Sequence, residues 1–352
     1  MFTFLVIYGE KIERHHSMNI YKEIVNEIQI ANQIVITSHK SPDGDSIGSS
    51  IAMLEFCKSL GKKAIICHPD PAPDFLMWLN GTNEILSFEK NEKLVQEKIQ
   101  TADLIFCLDY NEAGRVGKEM QPFLEAASAK KIMIDHHLNP SGFADITLSD
   151  PTICSTCQMI YDVIEFSENS NLLNTSIGTA LYLGIMTDTG SFRFPSVQVR
   201  THLILASLID NGVKHFEIHE NVFDTNTLDR LRLRGYACSE KLEILSRNQV
   251  AIISLTKEEL KRFNHQKGDT EGLVNVALSI QGIKAAVLFT EADEYVKISF
   301  RSKGKENPIN QLASIYFSGG GHANASGGRY DGPIEDAIKL FKEIVSNYIK
   351  AI

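Results

Sequence analysis

Ile34-Val35-Ile36-Thr37-Ser38-His39-Lys40-Ser41-Pro42-Asp43-Gly44-Asp45 is the stretch on which the fold turns. It opens with a β-branched apolar run, which suits a short buried strand. It continues into a loop of Ser, Pro, Asp and Gly, and residues 46–60 then carry a helical pattern ended by Gly61. The same order repeats outward. Apolar runs recur at 63–67, 104–108 and 132–134, and helical patterns at 19–30, 154–166 and 175–187. Strands alternating with helices predict an α/β fold whose N-terminal domain holds a mostly parallel sheet.

A chain of 352 residues is long for one small domain. We expect a metal-binding catalytic domain over 18–197 and an almost wholly helical connector over 198–246. A smaller α/β substrate-binding domain over 247–352 follows, with the active-site cleft between the two domains. Strand-like runs at 250–255, 285–290 and 295–300 support the last, with helices at 256–263, 271–280, 308–316 and 334–349. The Gly-rich segment 318–328 interrupts that pattern.

Composition narrows the function. A net charge of −9 argues against a grip on long duplex nucleic acid, which requires a basic excess to displace counterions. It leaves room for small phosphate ligands in a local basic pocket, and part of it suits metal ligands that bound cations neutralise. The six cysteines form no dense framework and read as reduced thiols; Cys154 and Cys157 lack the second pair a zinc site needs and read as a helix start. The apolar residues 1–8 are too short to span a membrane and lack the basic lead and cleavage site of a signal peptide. No membrane partner and a cytoplasmic location are the expectation. Met18 is an alternative start, since Ser17 can cap the helix that follows. A homodimer is the default expectation for oligomeric state.

Three apolar runs end in acids or histidines. Residues 34–36 lead to His39, Asp43 and Asp45; residues 104–108 to Asp109; residues 132–134 to Asp135, His136 and His137. In a parallel sheet the carboxyl ends of strands share one edge, where ligands bind, so these side chains converge. A lone Asp after a strand is commonly a helix cap; several converging carboxylates repel one another and raise one another's pKa unless cations join them. The His and Asp mixture suits Mn²⁺, with Mg²⁺, Co²⁺ or Fe²⁺ as rivals. So many ligands exceed one open site and suit two ions ~3.5–4 Å apart that share a carboxylate.

These residues resemble the motifs of the DHH phosphoesterase family. The resemblance rests on H-x-x-x-D-x-D from His39 to Asp45, strand-terminal Asp109, Asp135-His136-His137, and Thr187-Asp188-Thr189-Gly190. Gly319-Gly320-Gly321-His322 resembles the signature of the DHHA1 domain that often follows, although Ser326 and Gly327 depart mildly from its usual ending. The resemblance implies that His39, Asp43 and Asp109 hold one metal. Asp45, Asp109, His136 and Asp188 hold the other, with Asp109 bridging. Asp188 enters by this route alone. The resemblance also implies that Asp135 sits behind the metals and orients a histidine, that His137 faces the substrate phosphate or leaving oxygen, and that Arg301 and His322 bind the nucleotide. Gly320, Gly321 and Asn324 are lesser substrate-binding candidates.

Within the family, the length is expected to leave no room for the extra domains of the single-strand exonucleases, and no membrane or sensor regions are expected. The Gly-Gly-Gly-His loop separates the chain from the family's inorganic pyrophosphatases. The resemblance is to the stand-alone oligoribonuclease/pAp phosphatase type, which implies hydrolysis of very short RNA and of 3′-phosphoadenosine 5′-phosphate (pAp). Linear or cyclic dinucleotides, polyphosphate or pyrophosphate are alternative substrates, and a nucleotide-binding regulatory protein is the non-enzyme alternative. His15, His16, His202, His215 and His219 are expected outside the site. Arg230-Leu231-Arg232-Leu233-Arg234 reads as one solvated helix face, with a minority reading in which it attracts substrate, and Arg193 lies near enough to a motif to meet phosphate.

Overall fold

The computed structural model describes residues 11–349 apart from 246, 248 and 305, and within that range the side chains of 11–18 and 322 lie outside the described residues. The expectations for residues 1–8, Met18, His15, His16 and the His322 side chain fall there. The chain divides into two compact units, Met1–Thr225 and Asn226–Ile352.

In the N-terminal unit, helix α1 (Lys11–Ile30) precedes strand β1 (Ile34–Thr37). Then come α2 (Gly44–Ser59), β2 (Ala64–His68), β3 (Leu86–Ser87) and α3 (Phe88–Thr101). They are followed by β4 (Leu104–Leu108), α4 (Gln121–Ala126), β5 (Lys130–Asp135) and β6 (Ile146–Ser149). Four helices complete the unit: α5 (Thr156–Phe166), α6 (Thr175–Asp188), α7 (Val199–Asp210) and α8 (His215–Phe223). The sheet order is β3-β2-β1-β4-β5-β6 and every pairing is parallel. The β1 and β4 side chains are wholly buried because helices cover both faces. Ile34, Ile36, Phe106 and Ile134 pack with α1, α2, α5 and α6 on one face; Val35, Ile105 and Met133 pack with α3 and α4 on the other.

From β1 the chain builds outward to β2 and β3, then returns to β4 on the other side of β1. The order therefore reverses between β1 and β4, which is where open α/β sheets form their binding crevice. Helix α2 is buried nearly all round and packs closely on α6. Glycines permit the approach: a Cβ on Gly48 would stand 2.5 Å from the Ala180 carbonyl oxygen, and one on Gly44 would stand 2.2 Å from Thr187 Oγ1. Gly44 is the first residue of α2, and close packing is its requirement.

In the C-terminal unit, α9 (Leu228–Glu240) leads to β7 (Leu242–Leu245), β8 (Val250–Leu255), α10 (Lys257–Arg262) and α11 (Leu273–Leu278). Strands β9 (Ala285–Glu291) and β10 (Val296–Ser302), helix α12 (Asn310–Tyr316), strands β11 (Gly320–His322) and β12 (Ala325–Tyr330), and α13 (Ile334–Ile344) follow. The sheet order is β11-β12-β10-β9-β8-β7, with only β8 and β9 parallel.

The chain departs from the sequence pattern in two places here. Leu242–Leu245 lies in the stretch expected to be helical, yet it is a strand, because pairing with β8 outweighs local helix preference. The Gly-rich segment is not a plain loop but the hairpin β11–β12, bound into the sheet through β10. Its glycines fit tight backbone contacts: a Cβ on Gly319 would stand 2.0 Å from the Gly327 carbonyl oxygen, and one on Gly328 would stand 2.9 Å from Phe317 Cβ.

Candidate metal centre

Two hydrogen bonds fix the carboxyl end of β1 against β4: Thr37 Oγ1 donates to the Phe106 carbonyl and Ser38 Oγ to the Leu108 carbonyl. His39 leaves this point with its ring almost buried, and its Nδ1 lies 2.9 Å from the Lys40 carbonyl oxygen. That contact leaves Nε2 to face the acids, 3.3 Å from Asp109 Oδ2 and 3.8 Å from Asp43 Oδ2.

Asp43 serves two roles with two oxygens. Its Oδ1 accepts from the backbone N–H groups of Asp45 and Ser46 and caps α2, while its Oδ2 faces His39. The cap and the ligand readings, set against each other in the sequence, are both present at this residue.

Asp109 follows β4 with φ of +65°, a conformation that Asp tolerates better than most residues. Its Oδ2 faces His39, and its Oδ1 lies 3.6 Å from His136 Nε2 and 3.8 Å from His137 Nδ1. One buried carboxylate thus presents an oxygen to each of two clusters.

His136 follows β5. Its Nε2 is 3.8 Å from Asp45 Oδ2 and 3.5 Å from Asp188 Oδ2. Donor atoms 3.3–3.8 Å apart match neighbouring ligands around an ion with bonds of ~2.0–2.2 Å. Three overlapping groups could hold a metal ion: His39, Asp43 and Asp109; Asp45, His136 and Asp188; and Asp109, His136 and His137. Among the described residues no such group includes a cysteine. Cys154 lies just before α5, and Cys157 in its first turn.

Asp188 ends helix α6 rather than a strand. It reaches the cluster because α6 packs along α2, whose first turn carries Asp45. A Cβ on Gly184 would stand 2.7 Å from Asp45 Oδ1 and 2.1 Å from Cys157 Sγ, so glycine is required where these elements meet.

Asp135 lies behind the cluster. Its Oδ1 is 2.6 Å from His137 Nδ1, and its Oδ2 accepts from the His137 backbone N–H. Sequence reasoning missed the N-terminus of α5. Thr156 N–H and Cys157 N–H donate to the two oxygens of Asp45 at 2.7 and 2.9 Å, and Thr156 Oγ1 donates to Asp109 Oδ1 at 3.0 Å. A signal was available. β6 ends on the same sheet edge as the other strands, so the helix that Ser155 caps after it begins beside the cluster.

The electrostatics follow from crowding. Burial and the neighbouring carboxylates push Asp45 and Asp188 upward. Burial would raise Asp109 too, but the hydrogen bond from His39 and the charges of His39, His136 and His137 hold it low. Burial opposes protonation of His39, yet Asp109 and Asp43 outweigh it and raise the imidazole to about 9. Burial likewise opposes protonation of His137, but Asp135 and Asp109 outweigh it and raise its pKa. In this state protons balance the aspartates. Divalent cations would replace those protons, so the donor set fits metal binding.

The candidates in the C-terminal unit are placed separately. Arg301, near the end of β10, is partly buried; its Nη1 donates to the adjacent Phe300 carbonyl at 2.8 Å. Asn324 spends its amide on scaffolding, donating to Ser302 Oγ and the Gly304 carbonyl. Gly320 has open space where a side chain would stand, and Gly321, at φ of +135°, lies against Ala325 and Ser326. The His322 backbone pairs with Ala325. Arg193 is exposed, with its Nε donating to the Gly190 carbonyl.

Known proteins resemble the chain over both units. The model of the DHH family, N-terminal domain, matches residues 33–185, and that of the DHHA1 domain matches 248–351. The bifunctional oligoribonuclease and PAP phosphatase NrnA of Bacillus subtilis is 30% identical over 307 residues, covering 87% of this chain and 91% of that one. The protein of the same name from Thermus thermophilus is 29% identical, covering 90% and 89%. The crystal structure of an exopolyphosphatase-related protein from Bacteroides fragilis superimposes with a TM-score of 0.91 at 38% identity, covering 94% and 96%.

Proposed function

The chain belongs to the DHH family, and from that membership we propose that it is a metal-dependent phosphoesterase. Its substrates on this reading are short oligoribonucleotides, cleaved to mononucleotides, and pAp, which loses one phosphate. The observation that carries the reaction class is Asp109, which offers one carboxylate oxygen to His39 and the other to His136. That arrangement supports two ions sharing a carboxylate, with His39, Asp43 and Asp109 on one and Asp45, Asp109, His136 and Asp188 on the other. Mn²⁺ suits the donors best, with Mg²⁺, Co²⁺ and Fe²⁺ as rivals. Bound ions would supply Lewis acidity for the phosphoryl group and lower the pKa of water.

The chain's own residues do the rest. Thr156 and the first N–H groups of α5 hold Asp45 and Asp109 in place. Asp135 fixes the His137 ring, and its raised pKa lets His137 carry positive charge toward neutral pH. That charge favours a phosphate that gains negative charge during attack, and a protonated His137 has a proton for the leaving oxygen. Arg301 offers a planar fork to phosphate oxygens. Among the described residues no helix is long and apolar enough to cross a membrane.

Manganese-loaded protein assayed on diribonucleotides, pAp, pApA, cyclic dinucleotides, pyrophosphate and polyphosphate tests the reading. Mononucleotides from diribonucleotides and phosphate from pAp are the expected products. Phosphate released only from pyrophosphate or polyphosphate would sink the nucleotide reading. A chain that binds nucleotides without turnover and purifies without metal would sink the enzyme reading.

A further inference from the structure

Three arginines share one face of the C-terminal sheet. In β10, Val296, Ile298 and Phe300 enter the core that also holds Leu312 and Ala313 of α12 and Phe341 of α13. Side chains alternate along a strand, so Ser299 and Arg301 face the other side. Arg301 lies opposite Ala286 of β9, and opposed residues of an antiparallel pair share a face. Ala286 belongs to the apolar cluster that contains Leu233 and Ala237 of α9. The Arg301 face is therefore the one on which α9 packs.

Arg230 and Arg234 lie four residues apart on α9, on either side of buried Leu233, and are neighbours on its surface. The solvated helix face expected from sequence belongs instead to exposed Leu231 and Arg232. Arg230 and Arg234 are partly buried, and Arg230 Nε is fully enclosed without a hydrogen-bond partner. Arg232 pairs with Asp229 at 3.9 Å, whereas Arg230 and Arg234 have no carboxylate within ion-pair distance among the described residues.

The segment before α11 joins these arginines to Arg301. A Cβ on Gly272 would stand 3.8 Å from Arg234 Nη2. Its neighbour Glu271 is the acid whose charge acts on Arg301, and it also lies 3.7 Å from Lys297. One carboxylate thus serves Arg301 and Lys297, and the residue next to it lies against Arg234, which has no acid of its own. Burial and the Arg230 charge both lower the Arg234 pKa, as expected for like charges crowded away from water. Packing of the alkyl stems over the core explains the buried methylenes. It does not explain why two cations share that face without a counter-charge, or why a guanidinium N–H is enclosed and unbonded, which carries a cost.

We propose that Arg230 and Arg234 form an anion subsite for a second phosphate of an oligonucleotide whose first phosphate is taken by Arg301. This rests on the nucleotide reading above and adds a length preference to it. The planar forks suit phosphate oxygens, and the row continues along the face that already carries Arg301. pAp carries two phosphates: with one hydrolysed and the other on Arg301, none remains for this pair, whereas a 5′-phosphorylated trinucleotide has a third.

The test compares wild-type protein with Arg230→Gln, Arg234→Gln, the double variant and the two lysine variants. kcat/KM is measured on pAp and on a 5′-phosphorylated adenosine trinucleotide across a salt series, with equilibrium binding of a labelled trinucleotide beside it. The ratio of trinucleotide to pAp kcat/KM is expected to fall about tenfold in the double variant. Losing one phosphate contact flattens the single-strand salt slope by ~0.7, and lysine restores the slope better than the affinity. An unchanged ratio, slope and binding constant, with only a lower melting temperature, would overturn the subsite and leave a packing role. Arginine-dependent binding by a wild-type protein that hydrolyses no nucleotide would instead break the functional reading and keep the subsite.

Discussion

At the carboxyl edge of the N-terminal sheet, Asp45, Asp109 and Asp188 crowd around two histidines, while in the C-terminal unit Glu271 is the acid beside Arg301 and, among the described residues, Arg230 and Arg234 have none within ion-pair distance. The first arrangement calls for cations and the second for anions. They are also assembled differently. A parallel sheet brings the ends of distant strands to one edge, so residues 39, 109 and 136 meet through topology alone. A mixed sheet gathers residues by face, which depends on register and on which helix lands there.

The contrast breaks most sharply at Asp109. Asp109→Asn removes the carboxylate shared by both clusters without changing its volume. Metal content is expected to fall well below the two ions per chain proposed for the wild type, and kcat/KM by about a thousandfold. Full metal content and activity in this variant would remove the basis for a bridging role. Asp135→Asn keeps every direct ligand and loosens only the hold on His137. A loss of about ten- to hundredfold is expected, as for other groups that orient a metal site from behind. Its readout is the pH–rate profile: the limb that reports His137 should move to lower pH, because the carboxylate that raises its pKa is gone. An unmoved limb would leave Asp135 a purely structural residue.

The same contrast explains what was legible in the sequence. Five of the clustered residues, His39, Asp43, Asp45, Asp109 and His136, follow from where apolar runs stop. Asp188 does not, because it ends a helix, and its approach depends on Gly44, Gly48 and Gly184 letting α6 lie close to α2. Thr156 was hidden for a related reason: its hydroxyl matters only once the N-terminus of α5 is known to face Asp45 and Asp109. In the C-terminal unit, Arg230 and Arg234 looked solvated because local pattern cannot show which helix face meets a sheet. The glycines of 319–328 looked like a loop because their purpose, backbone against backbone, appears only in the hairpin.

The smallest expected effect concerns pH, and its sign separates the two units. In the metal-free N-terminal unit, His39 is raised from 6.5 to about 9. Its contribution is fully present below 6.5 and is lost as pH rises through 9. Asp45 and Asp188 are also raised, so the folded state keeps their protons longer than the unfolded chain and loses stability as pH climbs above the ordinary carboxylate range. Asp109 is held low and loses its contribution only in acid. Between pH 6 and 9 the contributions of His39, Asp45 and Asp188 therefore only fall, while that of Asp109 stays constant. In the C-terminal unit, burial disfavours ionised Glu259, but Lys241, the Thr256 N–H and Tyr236 hold it at about 2. Its contribution is present above 4.5 and is lost only as pH falls toward 2. Calorimetry of the metal-free chain should thus show the transition of the N-terminal unit moving to lower temperature from pH 6 to 9. Saturating Mg²⁺ should restore it most at the alkaline end, because the cation competes with fewer protons there. A metal-free transition that holds level or rises over that range would show that the aspartates are not crowded as described, and the cation requirement of this edge would lose its physical basis.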